Sequence, residues 1–181
     1  MVFFCFTMPT GAQAQKPDIP DPVKFPYKFD QVANMTRAVL EDMGLSIELD
    51  NRSEGKITTR PYDFITGSLT ASEVDKVAIK KESLTGNWLK ARYSAEAVIE
   101  IVSPTETMVT ISANIEGLRR DVDGTENWFP MESLGVFERR ILGKISVKLL
   151  GTESPVAPRK GFWGQRPQPV NPRQKAPGPV R

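Results

Sequence analysis

The sequence predicts an α+β domain in which two helices pack on one face of a single antiparallel sheet of about five strands, with a disordered proline-rich tail after it. Three observations carry this. Apolar stripes at helical spacing stand near both ends of the body, two segments of apolar-polar alternation stand between them, and the last part of the chain is too rich in proline for either pattern. The 181 residues, 39% of them hydrophobic, suit one core of ordinary domain size. The reading divides the chain into a leader at 1–14, a proline-rich lead-in at 15–26, the folded domain at 27–153 and a basic tail at 154–181.

The first helix is predicted over 29–43, where Phe29, Val32, Ala33, Thr36, Val39, Leu40 and Met43 share one stripe. Asp30 is placed as its N-cap and Gly44 as the residue just past its end. Leu45, Ile47 and Leu49 then alternate with polar residues, the turn chemistry of 50–55 follows, and 56–60 returns as the second arm of a hairpin. Residues 61–72 read as irregular, and Val77 and Ile79 mark a third strand. The clearest alternation comes next: Tyr93, Ala95, Ala97, Ile99 and Ile101 against polar neighbours, then Val109, Ile111, Ala113 and Ile115. The short turn at 103–106 forces these two to pair antiparallel, with one apolar and one polar face. The last helix is predicted over 133–150 from Leu134, Phe137, Ile141, Ile145 and Leu149, with Gly151 ending it. The economical arrangement lays both helices across the apolar face.

The ends are of another kind. Val2 to Met8 is apolar and uncharged, and Ala12-Gln13-Ala14 follows, the order of a secretory leader cut after Ala14, although a positive n-region is missing. The sequence therefore predicts an exported, periplasmic or secreted protein with no transmembrane segment, because no apolar run approaches the 18–20 residues a span requires. From Pro155 onward there are seven prolines and six basic residues without an acid, which leaves the remainder of this +2 chain at −4. Such a tail is expected to stay unfolded and to be drawn to anionic membrane surfaces. Within it Arg159, Lys160, Phe162, Trp163 and Arg166 form a candidate recognition segment.

The chain has no histidine, and its single cysteine, Cys5, is expected to leave with the leader. That excludes Ser-His-Asp and Cys-His activation and the usual zinc sites, so neither catalysis nor a metal or other cofactor is predicted. The carboxylate pairs Glu96 with Glu100 and Asp121 with Asp123 read as solubilising charges on strands and turns. A calcium loop around Gly124 fails, since Arg119 and Pro130 fall where ligand carboxylates are required. A near-neutral balance also excludes the dense basic stripe of a nucleic-acid binder. Glu138 stands out because its helical angle places it among Leu134, Ile145 and Leu149. A carboxyl group there demands partners, and the reading is a structural acid that fixes a neighbouring loop. Trp88, Tyr93, Trp128 and Phe129 read as core or rim aromatics.

Several short signatures occur in a telling order: Phe29-Asp30, Leu40-Glu41-Asp42-Met43-Gly44-Leu45, Gly55-Lys56-Ile57, Arg92-Tyr93, Trp128, and Ser133-Leu134-Gly135 leading to Glu138 and Ile145. In this order they resemble exported domains of the helix-grip type, as in the BamC-like outer-membrane assembly lipoproteins, over about residues 27–151. The chain departs from that pattern in lacking a lipobox and in having one such domain rather than two. The resemblance implies a non-enzymatic role in the cell envelope, binding or scaffolding through contact with a protein partner. Its alternative is a carrier for a small apolar ligand, using a cavity of the kind helix-grip folds open between sheet and helix.

Overall fold

The computed structural model describes residues 17–80 and 86–151. The leader, Cys5, and the tail with Arg159, Lys160, Phe162, Trp163 and Arg166 lie outside the described residues. The elements run β1 (Val23–Phe25), α1 (Phe29–Asp42), β2 (Ile47–Asn51), β3 (Lys56–Thr59), β4 (Tyr62–Thr66), α2 (Thr70–Val74), β5 (Ala78–Ile79), β6 (Asn87–Ser103), β7 (Glu106–Arg120), β8 (Glu126–Ser133) and α3 (Val136–Leu150).

The antiparallel α+β architecture is as predicted, but among the described residues the sheet has eight strands rather than about five. The additional ones are β1, β4 and β8, and a short third helix, α2, joins them. Three residues of β1 are too few to display alternation, and a register shift between Asp63 and Ile65 breaks that of β4. Strand β8 carries Pro130, which pairs with Glu116 of β7 on one side and, among the described residues, with no strand on the other, a position a proline tolerates. Helix α1 also begins differently: Lys28 holds the cap position without a side-chain bond, and Asp30 sits in the first turn. There its charge faces the positive end of the helix dipole.

The hairpin β6–β7 is the spine, pairing from Asn87↔Arg120 to Ser103↔Glu106. Its apolar face, Ala91, Tyr93, Ala95, Ala97 and Ile99 with Val109, Ile111 and Ile115, is buried in one cluster with Val32, Val39 and Leu40 of α1 and Ile141, Leu142 and Ile145 of α3. The opposite face carries cross-strand ion pairs such as Lys56–Glu96 at 2.9 Å and Arg92–Glu116 at 2.8 Å.

Each outer edge of the spine is covered by two strands in succession. On one side β3 pairs residues 96–98 and β4 pairs 90–93; on the other β1 pairs 107–109 and β8 pairs 115–120. Both covers are interrupted at the rung Ala95↔Ala113. A buried amide left open in a sheet must find another acceptor. The Ala95 N–H donates to Thr59 Oγ1 at 2.9 Å, and the Ala113 N–H donates to Glu138 Oε1 at 3.2 Å.

Candidate functional site

Glu138 is 1% exposed. Besides the Ala113 amide it accepts the Ser133 hydroxyl on Oε2 at 3.0 Å, and Ser133 Oγ in turn accepts the Gly135 N–H at 3.0 Å. Its carboxyl thus joins β7, the end of β8 and the entry to α3. Gly135 is required there, with φ of +78° and the Asp18 carbonyl oxygen 2.1 Å from where a Cβ would stand. Arg139 closes the corner, pairing with Asp18 at 3.1 Å and donating to the Leu134 carbonyl at 3.2 Å.

One residue before Glu138 and about 100° round the helix, Phe137 begins a different stripe with Arg140 and Lys144, spaced three and four apart so that they share a face. This stripe walls a cleft of about 320 Å³ with Asp42 and Met43 from the end of α1, Tyr62 and Phe64 from β4, and Tyr93 from β6. The rings form a continuous surface. Tyr93 and Phe137 stack at 3.9 Å with an 8° interplanar angle, while Phe64 meets Phe137 edge-on at 5.1 Å and Tyr62 meets Tyr93 edge-on at 6.1 Å. Phe64 is the extra residue of the β4 irregularity, and bulges re-aim a side chain in this way.

The electrostatics of the cleft are one-sided. Arg140 and Lys144 are exposed and have no hydrogen bond or ion pair among the described residues. Asp42 is bonded to Lys148, whose ammonium holds that carboxyl below the usual aspartate range. Tyr93 is 4% exposed, and its hydroxyl has no partner among the described residues. Burial pushes its pKa above the usual tyrosine value, so it remains a protonated donor at neutral pH.

Glu138 faces away from this cleft. Of the four aromatics singled out in the sequence only Tyr93 lines it, and Tyr62 and Phe64 fall in the stretch read as irregular. Trp128 lies on the opposite face of the sheet with the Arg92 guanidinium 3.7 Å from its ring centre, and Glu116 pairs with that arginine. Trp88 packs over Gly117, where a Cβ would approach its ring to 2.5 Å. Arg119 lies over Phe129 at 4.2 Å and pairs with Asp121 at 2.7 Å. Asp123 accepts from the Thr125 amide and hydroxyl, which hold its carboxyl below the usual range. These bonds account for the acids of the 121–126 turn within the protein itself. Among the described residues no three potential metal ligands gather, and no helix is long and apolar enough to cross a membrane. Compared with protein-family models and with curated proteins, the chain finds no match.

Proposed function

We propose that this chain is a non-catalytic binding module of the cell envelope that holds its target in the cleft between α3 and β4. The observation that carries the reading is the pair Arg140 and Lys144, unpaired among the described residues and standing over walls made of four aromatic rings. A concave cleft into which a few polar groups converge is a common form of binding site, and here the exposed part of the lining is more polar than apolar. Nothing in its lining pairs a nucleophile with a base, and its one acid is engaged by Lys148.

The envelope setting rests on the leader-like residues 1–14 and on the resemblance to BamC-like domains, which also supports a protein as the target. The basic segment after residue 154 adds a second contact, toward anionic membrane surfaces. A small-ligand carrier is the second reading, favoured by the cleft's volume of about 320 Å³, which is within the lower end of the range of ligand pockets.

Native mass spectrometry of the full chain isolated from its own cells tests the proposal. Wild type should retain a bound species that the Arg140→Gln/Lys144→Gln double variant loses while keeping its circular-dichroism spectrum. A protein adduct supports the first reading and a small molecule the second. No adduct in wild type, or equal retention by both forms, overturns the assignment of the cleft.

A further inference from the structure

The chemistry of the cleft narrows what it holds. Resting on the reading of this cleft as the binding site, we infer that its ligand is a carboxylate on an apolar or aromatic body, supplied either by a free organic acid or by the carboxyl terminus of a peptide.

The charged end is set by Arg140 and Lys144, which lie four residues apart and so on one side of the mouth. A guanidinium presents planar paired N–H donors that match the two oxygens of a carboxylate, and a neighbouring ammonium adds a point charge. Asp42, the acid on the rim, is bonded by Lys148 from outside the lining and feels Lys144 more weakly, so it offsets the two cations only in part. The Tyr93 hydroxyl, a donor without a partner among the described residues, adds a polar anchor deeper in the cleft. Among the described residues the lining thus sets two cations and two tyrosine hydroxyls against one carboxylate that Lys148 already engages, a balance that favours an anion over a cation.

The body is set by the rings. Phe137 and Tyr93 stack on each other and are 6% and 4% exposed, so the apolar part of the lining open to a flat or hydrocarbon group is supplied mainly by Tyr62, with Phe64 and Met43 beside it. About 320 Å³ is at the lower end of ligand-site volumes, so the part of the ligand held inside is a small group. Two cations are too few to neutralise a polyphosphate. The cleft fits an arylalkyl acid or a single C-terminal aromatic residue.

The test is calorimetric titration of the full chain with 3-phenylpropionate, its amide, inorganic phosphate, and a tetrapeptide ending in phenylalanine with its terminus free or amidated. The free acids should bind at least tenfold more tightly than their amides. Arg140→Gln and Lys144→Gln should each weaken them at least fivefold without altering the melting temperature of the unliganded protein. Lys28→Gln, exposed and outside the cleft, should change nothing. Tighter binding of the free-terminus peptide than of 3-phenylpropionate assigns the ligand to a protein partner, and the reverse order assigns it to a small acid. Acid and amide binding alike, or phosphate matching the acid, overturns the inference. If no carboxylate binds while mass spectrometry still shows a species lost from the double variant, the cleft stands and only its ligand class fails; loss of both results removes both readings.

Discussion

A carboxyl group buried between a helix and a sheet is tolerated only when its oxygens are engaged, and those of Glu138 hold the Ala113 amide and the Ser133 hydroxyl. Removing it leaves the part-buried Ala113 N–H and the buried Ser133 hydroxyl without this acceptor, which costs about 1–3 kcal/mol. Glu138→Ala should therefore lower the melting temperature by several degrees, and Glu138→Gln, which keeps an acceptor for Ala113, should recover most of that. Thermal denaturation followed by circular dichroism measures both; an alanine variant as stable as wild type would show the bonds to be dispensable. The depth of Glu138 was legible because helical angle depends on sequence spacing alone. Its partners were not, since Ala113 is 25 residues away and its amide is open only because β1 and β8 stop short of it. Arg140 and Lys144 were less legible still. By angle they are ordinary solvated residues of α3, and only the placement of Tyr62 and Phe64 beside them makes a site.

Among the elements, those long enough to repeat a pattern were the ones the sequence announced. Strands β6 and β7 span 17 and 15 residues, and their alternation is set by a face buried under helices. The shorter strands β1 and β4 owe their conformation to pairing with this spine, a tertiary cause that local pattern does not carry. Thr59 illustrates the difference between neighbours: its hydroxyl accepts the Ala95 amide, while that of Thr58 lies on the opposite face. Thr59→Val should cost about 1–3 kcal/mol in urea unfolding and Thr58→Val almost nothing. Equal effects would mean that the Ala95 amide finds another acceptor. Between the long helices, Lys148 of α3 bonds Asp42 of α1 and depresses its pKa. A depressed carboxyl contributes stability that is present above its unfolded value, near pH 4, and lost as pH falls through the lower folded value. Asp42→Asn should thus be less stable than wild type at pH 6, and the difference in urea midpoint should close between about pH 4 and pH 2. A gap that persists at pH 2 would point to packing instead.

At the scale of the molecule, the first and last long elements meet. Besides Asp42 and Lys148, the Tyr27 hydroxyl donates to the Leu149 carbonyl at 2.7 Å, so the start of the domain is fastened to the end of α3. The apolar face of the spine is covered only when that last helix docks. A chain ended after Leu134 should lose its single cooperative transition and bind the dye ANS, as states with exposed apolar surface do; cooperative unfolding without dye binding would show that α1 suffices. The break in both edges at Ala95↔Ala113 has a kinetic counterpart. At that rung the two amides are guarded by side chains rather than by strands, so their hydrogen exchange reports the swing of Thr59 and of Glu138, not the parting of the ladder. The spine then behaves as two clasped halves, β4 and β8 gripping one and β1 and β3 the other, and the cleft belongs to the half that β4 closes. An occupant wedged against Phe64 and Tyr93 would slow exchange along residues 90–93 while leaving 96–98 at their native rate, a footprint confined to one side of a seam that runs through the middle of an unbroken hairpin.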